Sequence, residues 1–297
     1  MNRSPFFYVG DKYKLMNQLS ELFPDNINRL IEPFCGGGSV FLNTKAKKYI
    51  ANDNNFYMIQ LHKFLCSFKG KREVLFEQIK DIILKYGFSA SYLGIEGDRE
   101  LKIKHIKTYY AVYNKESYKN LKNDFNNQKD NMIYLYLLLI YGFNHMLRFN
   151  KNGDFNLPVG NVDYNKNVVN ALNNYFDHIE KNTIKFYCYD FEKFINKLEF
   201  EVDDFVYFDP PYLISGSEYN KNWTVDEEKR LLELLDKLNE RGIKFALSNV
   251  LFHKGKTNEI LIEWSKKYKV IDVKSNYISY HDNTNKNSKE VLIVNYE

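Results

Sequence analysis

The chain has 297 residues, 44% hydrophobic and 16% aromatic, which is enough to bury a sizeable core and argues against global disorder. Its 42 basic and 38 acidic residues leave a net charge of +4, too mild to argue for nucleic-acid binding by itself, though it permits a local basic face. Cys35, Cys66 and Cys188 are odd in number and lack paired spacing, and the six histidines form no His-x-x-x-His site. The expectation is therefore reduced thiols in a cytoplasmic protein with no metal. No signal-peptide pattern opens the chain. The longest apolar run, Met132 to Phe143, is too short to span a bilayer and reads as a buried helix, so no membrane partner is expected.

Phe6 to Lys12 reads as a short aromatic approach to a glycine turn flanked by Tyr8 and Lys12, which on this segment alone pass equally for surface residues. A helix follows from about Lys12 to Phe23, with Leu15, Leu19 and Leu22 on one face, and Pro24 ends it. In Leu30 to Leu42 a strand enters, Gly36, Gly37 and Gly38 turn the backbone, and Ser39 is placed to cap a helix. Glycines there allow positive φ and close approach of a ligand to bare backbone. The stretch has no Lys-Ser/Thr of a P-loop, and Phe41 stands where a dinucleotide fingerprint has its last glycine. Phosphate cradling is thus unsupported; a phosphate-free nucleoside such as S-adenosylmethionine fits better, with a plain tight turn as the alternative. The strand Lys48 to Ala51 ends at Asn52-Asp53. A carboxylate there is placed to accept ribose hydroxyls, or else to act as a simple cap.

From Phe56 to about Phe143 the periodic stretches Ile59 to Phe68, Val74 to Tyr86 and Tyr134 to Tyr141 look helical. Polar Lys/Asn-rich pieces such as Tyr113 to Asn131 lie between them. Without strand-turn-helix alternation, this reads as a helical insertion into an α/β core. Asn152-Gly153 then signals a hairpin carrying Asn144, Arg148, Asn150, Lys151 and Asn156, with Met146, Phe149 and Pro158 interleaved. Arg and Asn read guanine and adenine edges, and apolar tips wedge into base stacks; a solvated hairpin is the alternative.

Thr183 to Tyr187 is a further strand, followed by Asp190 and Phe191, a hydrogen-bonding and stacking pair for a cofactor's adenine ring. Val206 to Phe208 reads as a buried strand, stopped by Pro210 and Pro211 after Asp209. The turn sets a carboxylate, a backbone carbonyl and the Tyr212 ring at a strand's C-terminal end, where ligands bind in open α/β sheets. Those groups suit methyl transfer to the exocyclic amine of a nucleobase. Asp209 and the Pro210 carbonyl would accept its two N–H bonds, and Tyr212 would stack on the flipped base. A structural turn with Asp209 as a cap is the alternative. Asp226 to Glu240 is an amphipathic helix, Lys244 to Asn249 a strand and Ile260 to Tyr268 a helix. Val270 to Tyr280 and Glu290 to Tyr296 read as an antiparallel pair at the edge of a mainly parallel sheet, joined by a polar loop.

Tyr8 to Lys12 (YVGDK), the Phe34-to-Leu42 glycine stretch, Ala51 to Asp53, Met146 to Arg148, Asp209 to Tyr212 and Lys244 to Val250 (KFALSNV) are now all in view. Together they resemble the Dam family of D12-class DNA adenine methyltransferases, most closely its T-even phage branch. The resemblance covers most of the chain and has the order cofactor motif, helical recognition insert, catalytic motif. It implies a Rossmann-like α/β fold with a catalytic core over 1–56 and 166–297. A target-recognition insert would span 57–165, with its DNA-reading hairpin near 144–162. It implies methyl transfer from S-adenosylmethionine, without a metal, to N6 of a flipped adenine in double-stranded DNA, with GATC as the leading target. Tyr8, Lys12, Asp53 and Asp209 match the family's cofactor positions, and Phe34, Gly36 and Gly38 belong to its cofactor motif. Arg148 and Pro158 fall where its hairpin enters DNA. One departure is Val162: GATC-specific members carry a basic residue just after the hairpin's Pro-x-Gly, which leaves the target sequence open. A methyltransferase for RNA or protein, or a non-catalytic DNA-binding relative, are the other readings, and no cognate restriction endonuclease can be inferred.

Overall fold

In the computed structural model, which describes residues 1–216, 223–274 and 288–297, the β-branched and aromatic runs become strands. In chain order these are β1 (Arg29–Glu32), β2 (Lys48–Asn52), β3 (Ile184–Tyr187), β4 (Phe205–Phe208), β5 (Lys244–His253), β6 (Lys256–Thr257), β7 (Lys269–Val273) and β8 (Ser288–Val294). They form one sheet in the order β3-β2-β1-β4-β5-β8-β7, with β6 folded back onto β5. β3 through β5 run parallel, and β8 lies antiparallel between β5 and β7. This is the Rossmann-like α/β sheet expected from the sequence. Part of the expected last strand pair, residues 275–287, lies outside the described residues.

β4 is buried at all four positions, as a central parallel strand covered on both faces should be. Its side chains alternate between two apolar clusters. Phe205 and Tyr207 join Phe6, Met16 and Leu19 on one face, and Val206 and Phe208 join Leu231 and Leu235 on the other. From β1 the order runs outward through β2 and β3 on one side and through β4 and β5 on the other. The chain reverses between β1 and β4, which opens a crevice at their carboxyl ends.

The helices are α1 (Met16–Leu22), α2 (Phe56–Cys66), α3 (Arg72–Tyr86), α4 (Arg99–Lys104), α5 (Tyr109–Tyr113), α6 (Lys115–Asn127), α7 (Met132–Ile140), α8 (Lys166–Lys181), α9 (Phe191–Asn196), α10 (Val225–Glu240) and α11 (Glu259–Ser265). α2 to α8 all fall between β2 and β3, and α7 packs into the same apolar cluster as the N-terminal segment. Two local expectations are corrected. The polar stretch from Tyr113 contains α6, because Tyr118, Leu121 and Phe125 make a buried stripe at helical spacing within a Lys/Asn background. Ser39 caps no helix. The Asn43 side-chain amide takes the Ser39 carbonyl at 2.7 Å, a bond the next helical turn would need, while the Asn43 N–H turns back to Val40. Among the described residues, no helix is long and apolar enough to cross a membrane.

Candidate active site

The two prolines after Asp209 end the β4 ladder, and the carboxylate meets the N-terminal segment there. Lys12 Nζ lies 2.7 Å from Asp209 Oδ1 and 4.0 Å from Glu290 Oε1. The side chains of Lys12, Asp209 and Glu290 are 3%, 17% and 2% exposed, so these charges act through little water. The Tyr212 hydroxyl reaches Asp209 Oδ1 at 3.3 Å and Glu290 Oε1 at 3.1 Å. A phenol has one proton, so it donates fully to only one carboxylate at a time. Burial pushes the Asp209 carboxyl above the usual carboxylate range, opposed by the Lys12 ammonium and the Tyr212 hydroxyl. Lys12, which passes for a solvated lysine in sequence, is thus a buried counter-ion. Glu290, contributed by β8, is a member the sequence reading missed.

The glycine loop sits beside this cluster. The Gly36 N–H donates to Asp53 Oδ2 at 2.9 Å, and the Asn55 N–H to Asp53 Oδ1 at 2.8 Å. Burial raises the Asp53 carboxyl, and these two amides oppose it. Gly38 has φ +82°, and a Cβ there would fall 2.4 Å from the Phe41 ring, so only glycine fits. Tyr8 packs on the loop: a Cβ on Gly37 would come 3.1 Å from Tyr8 Cβ. His62 of α2 was also missed. Its Nε2 lies 2.8 Å from the Gly36 carbonyl and its Nδ1 2.9 Å from the Tyr175 hydroxyl. Burial brings its pKa down to about 4, so the ring is neutral. A carbonyl only accepts, so Nε2 carries the proton and Nδ1 accepts from Tyr175. Asn52 ties this loop to the one after β3 through the Pro33 carbonyl and both backbone groups of Tyr189.

Phe34 is half-buried, its ring centroid 5.3 Å from that of Phe191 and 5.8 Å from that of Trp223. Phe191 is only 4% exposed and lies under Arg230. Asp190 accepts from the Glu192 and Lys193 amides as the N-cap of α9 and pairs with Arg230, so its carboxylate is already engaged. Trp223 is held by the buried Glu228 carboxylate at 2.7 Å. Glu32, buried at the end of β1, has its pKa pushed up by burial and by the Asp209 charge. Its Oε1 finds no hydrogen-bond partner among the described residues.

The segment around Asn152-Gly153 folds back on itself, but with isolated bridges at Gly142–Val159 and Phe149–Phe155 rather than a regular ladder. Asn150 Oδ1 accepts from the Asn152 and Asp154 amides, each at 2.9 Å, and fixes the turn. Asn144, Lys151, Asn156 and Pro158 are exposed, and Met146 and Arg148 half-buried. Arg148 donates to Asn156 twice, Nε to Oδ1 at 2.9 Å and Nη2 to the carbonyl at 2.8 Å. Phe149 is no wedge tip: its ring stacks on Tyr57 of α2 at 4.2 Å and anchors the hairpin. At the hairpin's entry the His145 ring meets Phe7, next to Tyr8, at 5.3 Å. Tyr8, Lys12, Gly36, Asp53 and Asp209 therefore converge on the crevice, Phe34, Asp190 and Phe191 flank it, and the hairpin residues make an adjoining surface.

A mainly parallel sheet with a glycine loop after β1, a carboxylate after β2 and Asp-Pro-Pro-Tyr after β4 is the arrangement of a Rossmann-like methyltransferase. A family model described as D12 class N6 adenine-specific DNA methyltransferase matches residues 8–278, and the chain belongs to that family. Over 99% of its length it is 37% identical to the Type II methyltransferase M.FokI of Planomicrobium okeanokoites. Over the same share it is 35% identical to the modification methylase StsI of Streptococcus sanguinis. It spans 43% of each of these two relatives, less than half their length. It is 27% identical to the DNA adenine methylase of Escherichia coli strain K12, over 99% of this chain and 95% of that protein.

Proposed function

We propose that this chain methylates N6 of adenine in double-stranded DNA with S-adenosylmethionine as methyl donor. The observation that carries the reading is the buried Lys12–Asp209–Tyr212–Glu290 cluster at the C-terminal end of β4. An exocyclic amine is a poor nucleophile because its lone pair is delocalised into the ring. Asp209 and the Pro210 carbonyl would accept its two N–H bonds and draw that lone pair out of conjugation, with Tyr212 against the base. The donor set fits the cofactor. Glu32, Asp53 and Asp209 stand at the carboxyl ends of the adjacent strands β1, β2 and β4, a set of acidic groups that suits a cationic ligand, and Glu32 Oε1, without a partner among the described residues, is open to a donor. Asp53 retains lone pairs beyond its two amide bonds for ribose hydroxyls, and Phe34, more open than Phe191, offers a ring to adenine. When bound, the cofactor supplies an electrophilic methyl on sulfur, so the transfer requires no Lewis acid.

Residues 57–165 are read as the target-recognition insert. Asn144, Met146, Arg148, Asn150, Lys151, Asn156 and Pro158 would face DNA, and GATC is the leading candidate target. The relatives' names, a Type II methyltransferase and a modification methylase, support a modification role beside a restriction endonuclease. Duplex DNA as substrate places the work in the compartment that holds the DNA. The test is tritiated methyl transfer to duplex DNA, RNA and protein by the parent chain and Asp209→Ala. The parent should label DNA alone and be indifferent to EDTA, while the variant loses nearly all turnover. Near-normal methylation by Asp209→Ala, or labelling of RNA or protein instead, overturns the reading.

A further inference from the structure

We propose that residues 99–107, α4 and the turn after it, form a second DNA-contacting arm that grips the phosphate backbone beside the hairpin's exit. The proposal rests on the DNA-methylating reading above and adds to it a contact outside the hairpin. α4 buries none of its residues, so it contributes nothing to the core. A helix of six residues does not persist in water on its own propensity. This one is held by the Asp98 cap, which accepts from the Glu100 amide at 2.7 Å and the Leu101 amide at 3.2 Å. What the arm displays is Arg99, Lys102, Lys104 and Lys107 against Glu100 alone, with Asp98 occupied as the cap. None of those four cations enters an ion pair among the described residues, whereas Arg29, Arg72, Lys129 and Arg230 do. Between them stand Ile103 at 75% exposure and Ile106 at 81%, among the most exposed large apolar side chains described. A solvated charged face has no use for two open isoleucines; a face that closes on sugar and phosphate uses both kinds of group.

The arm's position agrees with this. Asn161 Nδ2 donates to the Lys107 carbonyl at 2.9 Å, and its Oδ1 accepts from the Ala111 amide at 3.2 Å. Gly160, the residue before, donates to the Tyr141 carbonyl, and Val159 bridges to Gly142, two residues before Asn144. One residue thus fastens the arm to the leg by which the hairpin leaves. That leg carries Val162, where a basic side chain is lacking, and the tether holds the Lys107 backbone at Asn161, the residue before it. Lysines there neutralise phosphates, which fixes position and affinity but reads no sequence.

The test compares the parent chain with a fourfold Arg99→Gln, Lys102→Gln, Lys104→Gln, Lys107→Gln variant. Anisotropy titrations use a fluorescent duplex across a salt series. Each phosphate that is no longer neutralised lowers the slope of log affinity against log salt by about 0.9, so the variant's slope should fall by roughly 2–3.5. Target and non-target duplexes should weaken in parallel, while S-adenosylmethionine affinity stays unchanged. An Ile103→Ser, Ile106→Ser variant should bind duplex more weakly at high salt, where the charge contribution is screened. A fourfold variant with the parent's slope and affinity overturns the arm and leaves the function standing, and so does an isoleucine variant that alters only sedimentation. A parent chain that neither binds nor methylates duplex DNA overturns both.

Discussion

Replacing Lys12 by Met keeps the length of the side chain and deletes the charge that faces Asp209. Lys12 and Asp209 are 3% and 17% exposed and 2.7 Å apart, so this is a buried pair, and breaking one costs about 3–5 kcal/mol. The one Tyr212 proton remains available to Asp209 in competition with Glu290, which puts the expected loss at the lower end, about 3 kcal/mol, or roughly 5 °C in Tm for a chain of this length. The pH dependence has a definite sign. Burial raises the Asp209 pKa in the folded protein above its unfolded value, and Lys12 opposes that rise. In the proposed role Asp209 accepts from the amine as an ionised carboxylate, so activity should be present above the folded pKa and lost as pH falls through it. Without Lys12 the folded pKa climbs further, and the acid limb of kcat/KM moves to higher pH. Stability follows the same linkage: a raised carboxylate favours the fold most below its unfolded pKa and loses that contribution as pH rises through the folded value. The Tm gap between the variant and the parent should therefore narrow on acidification. Methyl-transfer profiles and thermal melts over a pH series measure both. An acid limb that stays in place, or a Tm gap constant with pH, would refute the view that Lys12 keeps Asp209 ionised.

Three further outcomes are expected. Asp53→Asn should weaken S-adenosylmethionine by about 1.5–3 kcal/mol, roughly ten- to hundredfold, by calorimetry; unchanged affinity in a folded variant removes Asp53 from the ribose site. Glu290→Gln should lower kcat with little change in the KM for S-adenosylmethionine, because it disturbs Tyr212 and Lys12 rather than the glycine loop; parental turnover would sink that role. Asn156→Ala should remove one of the two internal bonds that orient Arg148, the one to Oδ1, keep the one to the backbone carbonyl, and reduce discrimination between duplexes differing by one base, by up to about 1–3 kcal/mol; equal discrimination in parent and variant counts against Arg148 as a base reader.

What the sequence makes legible in this site is what short segments encode alone. Two prolines end a strand wherever it lies, so the corner at Asp209 can be read without the fold. Gly38 is written as glycine because its backbone and the Phe41 ring leave no room for a side chain. The remainder depends on register and packing. Glu290 stands 78 residues after Tyr212 and meets it because β8 inserts between β5 and β7, a pairing no local pattern specifies. His62 sits on the buried side of an apolar helix, where histidine carries no signal until the Gly36 carbonyl appears beside it. Ser39 misleads for the opposite reason: its own cap signal is sound, and a competitor four residues on, Asn43, takes the carbonyl the helix needs.

The groups assigned to ligand and DNA by the proposed function already hold partners within the chain. Arg148 holds Asn156, Asp209 holds Lys12 and Tyr212, and Asp53 holds two backbone amides. For Arg148, base binding would be an exchange of partners, and an exchange discriminates more sharply than a first contact. A guanine edge offers Arg148 two acceptors, O6 and N7, and so replaces both bonds given up to Asn156. An adenine edge offers N7 as acceptor and an amine as donor, which leaves one guanidinium N–H facing another donor. The unmatched N–H keeps its desolvation penalty, about 1–3 kcal/mol, because water is excluded once the groove closes. At Asp209 the exchange is gentler. A carboxylate oxygen has lone pairs enough to keep Lys12 while accepting from an amine, so the counter-ion that holds the charge in place can remain through the reaction. In the proposed function, specificity at the hairpin and chemistry at the strand end would thus draw on opposite properties of their resting bonds: those of Arg148 would be surrendered, and that of Asp209 to Lys12 need not be.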